Sequence, residues 1–136
     1  MAYWLVKSDP KTYSWKDMLE EKITPWDGVR NYQARNNLKE MKKGDKVLFY
    51  HSVQGTEVVG TTTVTKEYFQ DPTTNDDRWV AVELKAEKTL ENPVPLALIK
   101  ESKELQDIAL IKQSRLSVMS LTKDEYEKII ELSKEK

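Results

Sequence analysis

The spacing of apolar residues changes period several times along the chain, and each change predicts an element. Tyr3-Trp4-Leu5-Val6 is an aromatic and β-branched run that predicts a first strand over Tyr3 to Lys7. It ends at Ser8-Asp9-Pro10, where proline removes a ladder donor and turns the chain. Ser14 predicts a cap for a short helix over Trp15 to Leu19, and Ile23 to Gly28 reads as an irregular loop that carries a tryptophan. Between Asn31 and Met41 the apolar residues Ala34, Leu38 and Met41 recur at i, i+4 and i+7, the pattern of an amphipathic helix.

Gly44-Asp45 supplies a turn into Lys46 to His51, an apolar run too short for a buried helix and too β-prone for a loop. Val58 to Val64 predicts another strand, in which Gly60 marks a bulge or a close backbone approach. From Trp79 to Ala86 the residues Val80, Val82, Leu84 and Ala86 alternate with polar neighbours, again a strand. Asp71 to Asp77 between them has the composition of an exposed loop, and Pro93-Val94-Pro95 reads as a break. One or two short helices follow over Leu96 to Lys112, then a β-prone piece, Leu116 to Met119. Thr122 and Glu125 form both halves of a capping box, with Leu121 and Tyr126 as its staple, so a last helix presents Tyr126, Ile129 and Ile130 to the core. Strands scattered between helices without regular β-α alternation predict an α+β fold around a small curled sheet.

With 136 residues the chain has the length of one domain. Its 22 basic and 23 acidic residues leave a net charge of -1, which disfavours coating of a polyanion by bulk charge and makes any nucleic-acid contact local. There is no cysteine, which removes disulfides, thiolate metal sites and cysteine nucleophiles. The beginning lacks the pattern of a signal peptide, and no run reaches membrane-spanning length, so the expected location is cytoplasmic, or nuclear in a eukaryote.

Catalysis is hard to build from these residues. The single histidine, His51, ends an apolar strand and reads as locally hydrogen-bonded rather than as a base. No metal-ligand spacing and no glycine-rich phosphate cradle are visible, so the expectation is a binding protein with no catalytic residue, metal or cofactor. The aromatic content points elsewhere. Of four tryptophans, Trp4 and Trp79 begin strands and read as core, Trp15 fits core or pocket, and Trp26 sits among polar groups, as does Tyr32. The stretch Trp26 to Asn37 offers an indole for stacking, amides for a base edge, and Arg30 and Arg35 for flanking phosphates. Equally, those amides would serve to cap the helix and tie down the loop.

The blocks Tyr3 to Pro10, Tyr13 to Trp15, Trp26 to Asn36, Gly44-Asp45 with Phe49 to Ser52, and Ser114 to Val118 resemble the EVE domain family across nearly the whole chain. That family belongs to the PUA-like superfamily and is related to thymocyte nuclear protein and to the YTH readers. The resemblance implies one EVE domain over 1–136, a PUA-like small curled β-barrel flanked by helices, whose pocket receives a flipped base, a modified cytosine in DNA being favoured. It implies Trp26 as the stacking wall, Ser8 and Asp9 at the base edge with Lys7 in the same pocket, Asn31, Tyr32 and Asn36 bordering the cavity, His51 and Ser52 near it, and Arg115 as a phosphate contact. A PUA-like module for tRNA or another structured RNA is the alternative, and an enzyme acting on a nucleotide a more distant one.

Overall fold

The computed structural model describes residues 1–53 and 55–134. The chain runs β1 (Tyr3–Ser8), α1 (Trp15–Glu21), β2 (Ile23–Trp26), α2 (Tyr32–Glu40), β3 (Lys46–His51), β4 (Glu57–Gln70) and β5 (Val80–Pro95). It continues through α3 (Leu96–Glu101), a 3-10 turn at Lys103–Leu105, α4 (Ala109–Lys112), β6 (Val118–Leu121) and α5 (Lys123–Ser133). One six-stranded sheet in the order β2-β5-β4-β3-β1-β6 holds all the strands. Among the described residues only β1 and β3 pair in parallel, in a register that sets Lys7 beside Tyr50 and Ser8 beside His51. Repeated register shifts along β4 and β5 curl the sheet, which stays open between β2 and β6.

Local chemistry sets most of these elements. Ser14 and Asp17 exchange side-chain and backbone bonds in a capping box that starts α1, and Thr122 and Glu125 do the same for α5. Asn31 caps α2 by accepting from the Ala34 amide at 2.9 Å. Ala34, Leu38 and Met41 are fully buried, as their spacing requires. The Asp45 carboxylate takes donors from the Trp4 indole, the Ala2 amide and the Lys42 amide, tying the start of β1 to the turn before β3. No described helix is long and apolar enough to cross a membrane.

Five features depart from the sequence expectation. Ile23 to Trp26 is not loop but an edge strand against Val82 to Lys85, with Thr24 and Trp26 turned inward and Ile23 and Pro25 outward. Proline is tolerated there because an edge leaves one side of the backbone without a partner. The same reason carries β5 past Pro93 and Pro95, since β2 has no register beyond Lys85; both prolines face outward while Val94 is buried. Asp71, expected in an exposed loop, is fully buried. Trp79, expected in the core, lies half-buried just before β5 and stacks on Tyr32 at 5.3 Å. The last strand also begins two residues later than its β-prone run, at Val118.

Gly60 explains how α1 docks. A Cβ added there would meet the Trp15 ring at 2.2 Å, and the indole lying over that glycine donates to the Thr89 hydroxyl at 2.9 Å. Thr89 is the residue opposite Gly60 on β5, so the ring is seated and bolted at one place in the sheet. Gly60→Ala is therefore expected to cost about 2 kcal/mol or more through overpacking, a fall of about 5 °C or more in melting temperature. Thermal melts of the two proteins check it, and an unchanged midpoint refutes the close seating of Trp15.

Candidate functional site

The ends of β1 and β2 and the turn between β1 and α1 enclose an open cavity of about 530 Å³, within the range of small-ligand sites. Trp26 supplies one wall; it is 8 % exposed, and what remains accessible lines the cavity. Tyr13 supplies a second wall, its ring 6.2 Å from that of Trp26 and turned 80° to it. A flat ring laid against one of these planes meets the other with its edge. Phe49 lies beneath both, edge-to-face with Trp26 at 5.5 Å. The other hollows, near Ser102, Gly44 and Gln113, have no aromatic lining.

Polar groups ring the mouth. Lys7 donates to the Ser114 carbonyl at 2.7 Å, and burial lowers its ammonium below the usual lysine value. Ser8 donates its hydroxyl proton to the Tyr13 carbonyl, leaving its oxygen able to accept. The Tyr13 hydroxyl donates to Glu21 at 2.6 Å; burial, followed by that bond, pushes it up to about 12, so it stays a protonated donor. Asp27 differs from its neighbours. Among the described residues no other one hydrogen-bonds its carboxyl, and burial together with the nearby Asp71 charge raises its pKa. Its half-buried carboxylate lines the cavity beside the indole, where it is an acceptor that a ligand N–H can meet.

The rim beyond Trp26 is latched from below. Gly28 adopts a φ of +76°, which L side chains rarely adopt. Its amide donates to buried Asp71 at 2.8 Å, and Arg30 donates to the same carboxylate oxygen at 2.9 Å. Thr73 adds its amide and hydroxyl to the other oxygen. Burial alone would raise the Asp71 carboxyl, but these donors outweigh it and hold the group at about 2.

Of the residues expected at the site, Lys7, Ser8, Asp9, Trp26 and Arg30 come together around this cavity. The others lie elsewhere. His51 accepts from the Trp15 amide at 2.9 Å, so its Nε2 is unprotonated and satisfies an orphan donor of the first turn of α1; burial lowers its pKa accordingly. The Ser52 amide donates to the Ser8 carbonyl. Asn31 is the α2 cap, Asn36 accepts from Arg35, and Tyr32 is exposed against Trp79. Arg115 shares a polar hollow with Asn31 and Gln33. Tyr13, Glu21, Thr24, Asp27 and Ser117 also line the cavity, none of them singled out from the sequence. Tyr13, Asp27 and Ser117 fall within the quoted family blocks, the one signal that could have flagged them; Glu21 and Thr24 carry none. No group of three or more histidine, cysteine, aspartate or glutamate residues among the described ones is placed to hold a metal ion.

Thymocyte nuclear protein 1 of Danio rerio is 32 % identical over 166 residues, a match that covers 97 % of this chain and 72 % of that protein. The crystal structure of Agrobacterium tumefaciens protein Atu2648 superposes with a TM-score of 0.94 at 39 % identity, covering 98 % of this chain and 94 % of the other. The human THYN1 protein, crystallised in complex with 5-methylcytosine containing DNA, superposes with a TM-score of 0.91 at 29 % identity, covering 100 % and 99 %. More distantly, the YTH domain of Zygosaccharomyces rouxii MRB1 shares the fold, with a TM-score of 0.63 at 15 % identity over 98 % of this chain and 87 % of that one. The architecture is α+β and PUA-like, with a curled, open sheet. The EVE domain model matches residues 2–132, and the chain belongs to the EVE domain family.

Proposed function

We propose that this chain is a nucleic-acid-binding module that takes a flipped base, with a modified cytosine in DNA favoured, into the cavity beside Trp26, and that it binds without catalysing. The observation that carries this reading is the pairing of an aromatic corner, Trp26 with Tyr13, with an unpartnered acceptor at its edge, Asp27. The similarity to human THYN1, whose complex contains 5-methylcytosine DNA, supports the choice of ligand.

The energetics decide where selectivity arises. Extrusion of a base costs a few kcal/mol, and stacking on an aromatic ring returns about 1–3 kcal/mol. Burial of one methyl group adds about 0.8 kcal/mol, roughly a fourfold preference for 5-methylcytosine over cytosine. Edge contacts must supply the rest. An exocyclic amine at position 4 would donate to Asp27, whereas thymine, which carries the same 5-methyl group, would set a carbonyl against it.

A duplex with one central 5-methylcytosine should quench tryptophan fluorescence more strongly, and bind several-fold more tightly, than its unmodified twin. Equal affinities, or preference for an RNA of the same sequence whatever its methylation, would sink the DNA reading. Trp26→Ala should abolish the difference but also remove a buried ring, at about 3–5 kcal/mol, so it needs a companion. Asp27→Ala provides one: it should weaken binding of cytosine-type bases about tenfold, narrow their advantage over thymine, and leave the melting temperature nearly unchanged. Retained discrimination between 5-methylcytosine and thymine in Asp27→Ala argues against that edge contact.

The latch beneath the rim makes a pH prediction. Asp71 has a folded pKa near 2, below its ordinary value. Its stabilising contribution is thus present above about pH 4 and is lost as the pH falls toward 2. Asp71→Asn should be less stable than wild type at neutral pH, with a gap that closes between about pH 4 and 2. Asp76 also titrates near 2, and it does so in both proteins, so the difference in denaturant midpoint isolates Asp71.

A further inference from the structure

Beside the cavity, on the far side of Arg30, two aromatic rings and three guanidinium groups gather in one surface pile. Tyr32 and Trp79 stack with their ring centroids 5.3 Å apart and their planes 27° from parallel. Arg35 lies over the Tyr32 ring at 5.0 Å, while Arg30 and Arg78 approach the Trp79 ring at 5.5 and 5.9 Å. Arg78 also donates to the Tyr32 hydroxyl at 3.1 Å. The pile therefore joins the first turn of α2 to the residues that lead into β5. It is no part of the core: Tyr32 is 53 % exposed and the Arg78 side chain 58 %.

The charges in the pile do not cancel. Asp71 neutralises Arg30 and Asp76 neutralises Arg78. Arg35 bonds only to the Asn36 amide oxygen and the Arg78 carbonyl among the described residues, so one positive charge is left over on a chain whose net charge is -1. Those bonds use three of its five N–H groups, and the ring beneath holds the guanidinium plane in place. A flat cation, immobilised on an aromatic face with two donors to spare, is suited to a phosphodiester oxygen. Arg30 belongs both to the cavity rim and to the pile, so the two surfaces are continuous.

We propose that the pile of Arg35, Tyr32, Trp79 and Arg78 is a phosphate-gripping ridge that holds the sugar–phosphate strand where it leaves the base cavity. Its orientation along the strand rests on the base-binding reading given above. Because a phosphate carries no sequence information, the ridge adds affinity without adding selectivity. Tyr32 and Trp79 act as positioning residues that seat the guanidinium groups.

The test measures affinity across a salt titration for the 5-methylcytosine duplex and for its unmodified twin. Arg35→Ala should weaken both by one common factor, about three- to tenfold, and flatten the slope of log affinity against log salt by about 0.9, the signature of one lost phosphate contact. Tyr32→Ala, which removes no charge, should weaken both by a similar factor while the melting temperature stays close to wild type. Wild-type affinity and slope in Arg35→Ala would overturn the ridge, and unchanged affinity in Tyr32→Ala would overturn the seating by the ring. A modified-to-unmodified ratio of one in the wild type, with the slope still falling in Arg35→Ala, would refute the base reading and support the ridge. Failure of the wild type to bind either duplex would overturn both.

Discussion

Phe49, fully buried in β3, is the ring on which the aromatic walls of the site are set. Trp15, Trp26 and His51 meet it nearly edge-on, at 5.1, 5.5 and 5.7 Å, and Tyr13 leans against it at 6.4 Å. Edge-to-face contacts constrain the angle of a ring as well as its distance, so this hub fixes the planes that a ligand would face. The parallel pairing of β1 and β3 brings the polar end of β1, Lys7 and Ser8, to the same end of the sheet as His51. The cavity forms where that end meets the edge strand β2, with Trp26 turned inward by the strand alternation.

The support extends outward from Phe49 through contacts of high sequence separation. Trp15 lies over Gly60 and donates to Thr89, while its amide donates to His51, so both ends of the residue are bound to the sheet. That anchorage holds the beginning of α1, and with it Tyr13 and the Ser8–Tyr13 bond that closes the turn. On the opposite rim, Asp71 gathers Gly28, Arg30 and Thr73 from two segments. Each wall is thus held by a group distant in sequence.

This separation explains which features were legible in the sequence. Capping boxes at Ser14 and Thr122, the α2 face of Ala34, Leu38 and Met41, and the special role of Gly60 are written in neighbouring residues, and each has its counterpart in the structure. β2 was missed because four residues containing a proline carry no strand signal; its identity comes from pairing with Val82 to Lys85, some sixty residues later. Asp71 looked like a surface aspartate because its partners Gly28 and Arg30 lie 43 and 41 positions away. The amides around Asn31 suit either a base edge or a helix cap by pattern alone; in the structure Asn31 caps α2 and Asn36 braces Arg35. At the cavity the family blocks point to Lys7 to Asp9 and Trp26; Tyr13 and Asp27 lie in the same blocks, but their place at the cavity required coordinates, since nothing in their spacing tells which way a turn presents its side chains.

A chain with almost no net charge cannot hold a polyanion by counterion release over a wide face, so any grip on a strand has to be made from a few guanidiniums in fixed places. The structure fixes them in two ways. Arg30 is held by a carboxylate, which costs it most of its charge but makes the rim rigid; Arg35 is held by a ring, which keeps its charge available. Pre-organisation of this kind lowers the entropy lost on binding, at the expense of long-range attraction. On the proposed reading, a protein built so should associate slowly and discriminate by fit, because little in its field draws a strand toward it, while the aromatic corner and Asp27 would reward only a base that fills both.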